Sequence, residues 1–178
     1  VQLFAEKPSF GNIRFRSLYA LTAKETACRE NLLFLIHDKI QEYRHIESFA
    51  EKENKFTFSD DKFNNPIEAA HSVREQLSIS QSVPILDICE MISKLGIKFF
   101  YFNFNYAKTY GASVAASDGG PAIILNSAIA SVERKIFTVA HELGHILLHK
   151  DSYKNTETKE EKNSIEEHDA NLFAGELL

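Results

Sequence analysis

The sequence has little of what would assign it to a specialised class of protein. It contains two cysteines, Cys28 and Cys89, far apart along the chain, which predicts free thiols in a reducing compartment rather than a disulfide scaffold. No apolar run approaches about 18 residues, so a transmembrane helix is excluded. Lys and Arg number 20 against 25 Asp and Glu, for a formal net charge of −5. No general basic field is therefore present for a nucleic-acid backbone, and we expect a cytoplasmic protein whose present residues bind neither nucleic acid nor a membrane.

Methionine is scarce as well. The sequence begins with Val1 and its one methionine is Met91, so we expect that translation started upstream of these residues. What is present is typical of a globular protein, with 44% hydrophobic and 25% charged residues. A length of 178 residues accommodates one domain with an appendage, or two small domains.

The N-terminal third has the pattern of a short strand followed by a long helix. Side chains alternate between apolar and basic across Asn12–Arg16, which predicts a strand. Thr22 and Glu25 form a T-x-x-E capping box, which predicts the start of a helix that runs to about Lys52. The apolar stripe of this helix comprises Ile36, Ile40, Tyr43, Ile46 and Ala50.

The polar, turn-rich stretch 51–65 reads as a linker. We therefore predict an N-terminal extension over residues 1–60 and a second domain over residues 61–178.

Residues 61–178 combine helices with short strands. Their order predicts an α+β fold with a small mixed or antiparallel sheet packed on helices. The predicted elements are a helix capped by Asn65 and beginning at Pro66, a helix from Pro84 to a stop at Gly96, strands at 97–103, 112–117 and 122–125 around a turn at 118–121, a helix over 132–149, a charged loop over 150–164, and a helix over 164–178.

The most informative segment is FTVAHELGHILLH, residues 137–149. His141 and His145 are four positions apart, which places both imidazoles on one face of a helix. Two convergent imidazoles bind a divalent metal, most simply one zinc ion, with manganese as an alternative. Glu142 lies beside them in an H-E-x-x-H arrangement, where it is positioned to act as general base on a metal-bound water.

The context of this motif favours a metal site over an ordinary core helix with two satisfied histidines. Apolar residues surround the motif, so the helix is expected to be buried, and buried imidazoles need hydrogen bonds or a metal. Gly144 lowers helix propensity by about 1 kcal/mol relative to alanine, which indicates close approach of another element or of a substrate. The apolar neighbours are Phe137, Val139, Ala140, Leu143, Ile146 and Leu147.

A catalytic zinc site requires a third protein ligand and an open position for water. On the final predicted helix, Glu167 and Asn171 are four apart and share a face. Glu167 is the leading candidate for the third ligand, and Asn171 would then orient a ligand imidazole by a hydrogen bond. Glu166, Asp169 and His168 remain as alternatives for the third ligand.

These two segments resemble the ImmA/IrrE family of metallopeptidases. The resemblance rests on FTVAHELGHILLH followed by E-x-x-A-N-x-F-A-x-x-L-L, and with the preceding helices and strands it covers about residues 65–178. It implies a zincin-like domain with a gluzincin-like active site. In the family the last motif usually continues into Met-Pro, whereas this sequence stops at Leu178. Carried over by position, the metal ligands are His141, His145 and Glu167, the catalytic base is Glu142, and Asn171 follows the third ligand.

The resemblance implies a zinc-dependent endopeptidase that cleaves a transcriptional repressor or a related regulator, in a stress response or in control of a mobile element. The alternative is a metal-binding sensory module of a transcription factor without useful turnover. IRFRSLYALTAKE in the extension also resembles the connector of family members that carry an upstream XRE-type helix-turn-helix domain. DNA binding is therefore expected only of such an upstream domain.

Three further features of the site stay open at this stage. His149 follows His145 by four residues, and we expect a structural role because a fourth ligand would close the metal site. The strand at 112–117 is either a substrate-binding edge or an ordinary central strand. The candidate donors to a developing oxyanion are His168, Tyr110, Tyr106 and Tyr153.

Overall fold

The computed structural model of the chain describes residues 13–17, 22–51, 55–58, 63, 65–104, 109–115, 121–153 and 160–178. The helices and strands of these residues confirm the predicted α+β class. In chain order they are β1 (Ile13–Ser17), α1 (Ala23–Phe49), α2 (Pro66–Gln76), α3 (Ile88–Lys94), β2 (Lys98–Phe102), β3 (Thr109–Val114), β4 (Ala122–Asn126), α4 (Val132–Leu148), a 3-10 turn (Lys150–Tyr153) and α5 (Glu160–Leu177).

Across the described residues the strands form one mixed sheet in the order β1-β3-β4-β2. Strand β3 is antiparallel to β1 on one side and to β4 on the other, and β2 is parallel to β4. Because both edges of β3 are paired, β3 is a central strand rather than an open edge for substrate. The strand of the N-terminal extension thus shares a sheet with the strands of residues 61–178, while the predicted domain boundary itself stays a prediction.

The sheet separates two hydrophobic cores, and β4 contributes to both. Ile123 and Leu125 pack with helices α2, α3, α4 and α5, whereas Ala122 and Ile124 face the core that contains α1. This alternation follows from the two-residue period of side chains along a strand. All five residues of β4 are buried, so the strand is covered by helices on both faces.

Helix α4 lies in the larger core, and ten consecutive residues, 138–147, are buried. Its N-terminus is capped by Ser131, whose hydroxyl accepts a hydrogen bond from the backbone N–H of Arg134 at 3.2 Å. Helix α5 packs across α4 at Gly144, where an added Cβ would lie 3.0 Å from the ring of Phe173 and 3.3 Å from Cα of Ala170. The predicted close approach at this glycine is therefore to α5.

Several predicted boundaries differ from the structure. The helix expected from Pro84 begins at Ile88, because the side chain of Asp87 accepts a hydrogen bond from the backbone N–H of Glu90 at 2.9 Å and caps the first turn. The strand expected at 112–117 is three residues earlier, where Gly111 pairs with Leu125. Helix α5 starts at residue 160 instead of 164. Of the turn predicted at 118–121, residues 118–120 lie outside the described residues.

The apolar stripe predicted for α1 is buried only in part. Ile36 and Ile40 are 0% and 2% exposed, while Ile46 is 67% exposed. The first two pack on the sheet with Ala112 and Ile124, and the helix continues beyond that contact. None of the described helices is both long and apolar enough to cross a membrane.

Candidate metal centre

The imidazoles of His141 and His145 meet on the buried face of α4. Their Nε2 atoms are 3.0 Å apart, and the ring centroids are 4.7 Å apart in an edge-on arrangement. The side chains are 0% and 2% exposed. One helical turn separates the two residues, which is why their side chains leave the helix in the same direction.

Helix α5 supplies a carboxylate to the same point. One oxygen of Glu167, Oε2, lies 3.3 Å from Nε2 of His141, and the other, Oε1, lies 3.1 Å from Nε2 of His145. Together these three residues form a group that could hold a metal ion, with ligand atoms all within 4.8 Å of one another. The structure therefore brings together the three residues predicted as ligands.

The distances in this group fit a single divalent ion. Zinc ligands at about 2.0–2.1 Å from a tetrahedral ion are about 3.3 Å from one another, close to the observed 3.0, 3.1 and 3.3 Å. The hydrogen bond from Nδ1 of His141 to Oδ1 of Asn171, at 3.0 Å, places the proton of a neutral His141 on Nδ1. Its Nε2 lone pair then faces a carboxylate oxygen, an arrangement that a shared cation stabilises.

The electrostatics of Glu167 suit a ligand. Burial opposes the charged form of this carboxylate. In the metal-free site, protonated imidazoles of His141 and His145 donate hydrogen bonds to it and attract its charge, which outweighs burial and holds the pKa of Glu167 below its usual range. The carboxylate is consequently ionised, which is the form that binds a metal.

A second hydrogen-bonding partner lies behind each ligand imidazole. Asn171, from α5, accepts the hydrogen bond from Nδ1 of His141. The partner of His145 is His149, and the Nδ1 atoms of the two residues are 2.9 Å apart. The sequence predicts a structural role for His149. The repeat of histidine at 141, 145 and 149 is the signal that places all three on one helical face.

The carboxylate of Glu142 contacts the sheet through one of its oxygens. It is fully buried, and its Oε2 accepts a hydrogen bond from Oγ of Ser113 at 2.6 Å. Ser113 in turn accepts a hydrogen bond from the hydroxyl of Tyr153 at 2.8 Å. The other oxygen of Glu142, Oε1, has no hydrogen-bond partner among the described residues. A Cβ added at Gly111 would lie 3.2 Å from this oxygen, so the glycine leaves room beside it.

Sequence reasoning missed the role of Ser113. A serine on a strand has no spacing rule that links it to a glutamate on a later helix. The contact depends on how β3 packs against α4, and the sequence carries no local signal for it.

The structure places the alternative third ligands elsewhere. Glu166 is buried and accepts a hydrogen bond from the hydroxyl of Ser152. Asp169 lies beside His149, with Oδ2 4.0 Å from Nε2. His168 is exposed on α5. In the described part of the chain, the group of possible metal ligands contains none of these three residues.

The candidate oxyanion donors have different surroundings. The ring of Tyr110 lies under the guanidinium of Arg134, at 5.0 Å from its centroid. Tyr153 donates to Ser113, and Tyr106 lies outside the described residues. His168 and Tyr110 stay predictions as oxyanion donors.

An α+β fold with two imidazoles on one buried helix and a carboxylate on the next is the arrangement of a zincin-like metallopeptidase domain. The comparison with protein families agrees: residues 92–178 match the family model of Peptidase M78, described as an IrrE N-terminal-like domain. The resemblance to the ImmA/IrrE family predicted from the sequence is confirmed over those residues. A search of curated proteins and a search of solved structures each gave no significant match.

Proposed function

We propose that the protein is a zinc-dependent endopeptidase that uses His141, His145 and Glu167 as metal ligands and Glu142 as general base. The observation that carries this proposal is the convergence of two imidazole nitrogens and a carboxylate at 3.0 to 3.3 Å, with a buried glutamate on the same helix. The donor set of two nitrogens and one carboxylate suits zinc, with manganese as the alternative.

Each side chain has a defined part in peptide hydrolysis. A bound metal ion supplies Lewis acidity to a carbonyl and lowers the pKa of water. Glu142 accepts a proton at Oε1, the oxygen without a hydrogen bond in the described structure, and passes it to the leaving amine. Ser113 holds the other oxygen and so fixes the orientation of the carboxylate. Asn171 keeps the proton of His141 on Nδ1.

The substrate proposed is a protein, and specifically a transcriptional repressor or a related regulator. Support for the repressor comes from the resemblance to the ImmA/IrrE family and from the match to its family model. We also propose that the protein works in the cytoplasm. Both of its cysteines, Cys28 and Cys89, are free thiols, which suits a reducing compartment.

The substitution Glu142→Gln tests the peptidase. We expect cleavage of a repressor substrate to fall by about 100-fold or more, since general-base catalysis contributes roughly that much. Bound zinc, measured by elemental analysis, should be unchanged, because Glu142 is not one of the three converging residues of the described structure that could hold a metal. The matched control is Glu176→Gln, an exposed glutamate of α5 paired with His71.

Either of two results would count against the proposal. Unchanged cleavage by the Glu142→Gln variant would mean that this carboxylate is not the base. Zinc binding without cleavage of any repressor by the unsubstituted protein would favour the metal-binding sensory module, whose output in cells should then survive the same substitution.

A further inference from the structure

We propose that His149 is a positioning residue for the metal ligand His145, and that Asp169 orients His149. This inference rests on the metal centre of the proposed function, but not on turnover. It assigns to His149, the C-terminal cap of α4, a role that the ligand set alone does not include.

The contact between the two histidines has one consistent arrangement of protons. Two Nδ1 atoms at 2.9 Å form a hydrogen bond only when one carries the proton and the other offers its lone pair. A neutral His145 that binds metal through Nε2 carries its proton on Nδ1. His149 is therefore the acceptor, and the proton of its own imidazole lies on Nε2.

The surroundings of His149 favour that arrangement. Its Nε2 faces Oδ2 of Asp169 on α5 at 4.0 Å, which is too long for a direct hydrogen bond. The negative charge nevertheless attracts an N–H at that position, and both side chains are largely shielded from water, with exposed fractions of 7% and 33%. Asp169 thus favours a proton on Nε2 of His149, and the lone pair on Nδ1 of His149 favours a proton on Nδ1 of His145. The lone pair of His145 is then on Nε2, the atom that would bind the metal.

The other proposed ligand imidazole, that of His141, also has a hydrogen-bond acceptor. His141 donates its Nδ1 proton to Asn171, so both ligand imidazoles have an acceptor on the side opposite the metal. The two acceptors differ, because Asn171 is a neutral amide and His149 is an imidazole beside a carboxylate. Such partners raise the basicity of a ligand imidazole and hold its ring in place.

His149 is distinct from a fourth ligand. Its Nδ1 is engaged by His145, its Nε2 faces Asp169, and among the described residues it is absent from the group whose ligand atoms converge within 4.8 Å. Among the described residues, a zinc ion held by His141, His145 and Glu167 would therefore have its fourth coordination position left to water or substrate, as a catalytic zinc site requires.

Two complementary substitutions separate hydrogen bonding from packing. His149→Phe keeps a ring but removes the acceptor, whereas His149→Asn removes the ring but keeps an acceptor at the position of Nδ1. We expect His149→Phe to weaken zinc binding by about 10- to 100-fold, the usual effect of removing such a partner. We expect His149→Asn to retain most of the affinity, and Asp169→Asn to lose less than His149→Phe.

The measurement is the zinc dissociation constant, obtained by competition with a chromophoric chelator. The visible absorption of the cobalt-substituted protein adds a direct view of ligand geometry, and it should change in His149→Phe but not in His149→Asn. His71→Phe is the matched control, since His71 pairs with Glu176 on the surface at 2.7 Å. Thermal unfolding of the metal-free proteins shows whether a variant with weakened zinc binding is still folded, and so distinguishes loss of the fold from loss of the hydrogen bond.

The proposal is overturned if folded His149→Phe binds zinc as tightly as the unsubstituted protein, or if His149→Asn loses tenfold or more. If His149→Phe does not fold, His149→Asn alone decides in the same way. The outcome is independent of peptidase activity. Zinc binding that depends on His149 in a protein that cleaves nothing would refute the proposed enzyme and leave this inference standing.

Discussion

Glu142 is a fully buried carboxylate whose two oxygens have different surroundings. Oε2 accepts a hydrogen bond from Ser113, while Oε1 has no partner in the described part of the chain. A buried carboxylate oxygen without a hydrogen bond lowers the free energy of unfolding. Carboxylates in such unfavourable surroundings are found at catalytic sites, where they accept or donate protons. Ser113 and Tyr153 form a chain of hydrogen bonds that keeps this carboxylate in one orientation.

Removal of the serine hydroxyl should therefore lower turnover without releasing the metal. A hydrogen bond to a charged group contributes about 1.5–3 kcal/mol, so we expect Ser113→Ala to reduce kcat by roughly 10- to 100-fold. KM and bound zinc should change little, since the hydroxyl of Ser113 bonds to Glu142 and not to a proposed ligand. Tyr153→Phe should have a smaller effect, because Tyr153 acts on Glu142 through Ser113.

Steady-state kinetics on a cleaved repressor, together with zinc analysis, check this prediction. Ser80→Ala is a suitable control, since Ser80 is exposed and far from the site in sequence. A double variant that loses no more kcat than Ser113→Ala alone would fit one linked chain, whereas unchanged kcat in Ser113→Ala would contradict the assigned role.

At the scale of elements, the site depends on how closely α5 packs against α4. Glu167 is a ligand candidate only because its helix crosses α4 near the two histidines. Gly144 permits this approach, since a side chain there would meet Phe173 and Ala170. Glycine lowers the stability of a helix because it gives the unfolded chain more conformational entropy. At Gly144 the close packing of α5 on α4 offsets that loss.

The two glycines of this helix pair should respond differently to alanine. A Cβ at Gly175 would meet no atom within 4 Å, so Gly175→Ala should raise the free energy of unfolding by a few tenths to about 1 kcal/mol, through helix propensity. Gly144→Ala should lack that gain or destabilise the protein, because its Cβ would lie 3.0 Å from the Phe173 ring.

Urea unfolding of the metal-free proteins measures both changes under the same conditions. Gly144→Val should be worse than Gly144→Ala, and it should also weaken zinc binding by moving α5 away from α4. If Gly144→Ala stabilised the protein as much as Gly175→Ala, the contact between the helices would be looser than the structure indicates.

At the scale of the whole molecule, the metal centre links two helices, and the helices pack on a sheet that includes a strand from near the N-terminus. The proposed ligands come from α4 and α5, while the support for Glu142 comes from β3. Strand β3 is held on both sides, by β1 and by β4. The residues of the proposed reaction are therefore assembled by three elements that are distant in sequence.

Because the proposed ligands come from two helices, we expect zinc to stabilise the folded protein as a whole. At free zinc 100 times above Kd, ligand binding adds about 2.7 kcal/mol to the free energy of unfolding. We expect thermal unfolding to move to a higher temperature with zinc and to return with a chelator. Glu167→Gln should remove most of this shift, and Glu176→Gln, on the same helix, should not. An equal zinc-induced shift in both variants would exclude Glu167 as a ligand.

Much of the fold class was predictable because helices, strands and caps have local signatures. The Asn65 cap, whose side chain accepts from the backbone N–H of Glu68 at 2.9 Å, and the start of α2 at Pro66 agree with the prediction. The start of α3 does not, because Asp87 competes with Pro84 as a start signal and the sequence alone does not rank them. Strand β3 was misplaced by three residues because its limits depend on pairing with β1 and β4.

By itself, the sequence determined which chemistry is available: two imidazoles and a glutamate on one helix, because a spacing of four residues is a local geometric rule. Only the tertiary structure decided which distant groups join them. Glu167 meets the imidazoles while Glu166 pairs with Ser152, His149 lies behind His145, and Ser113 holds Glu142. These contacts follow from packing between elements, which leaves no periodic trace along the chain.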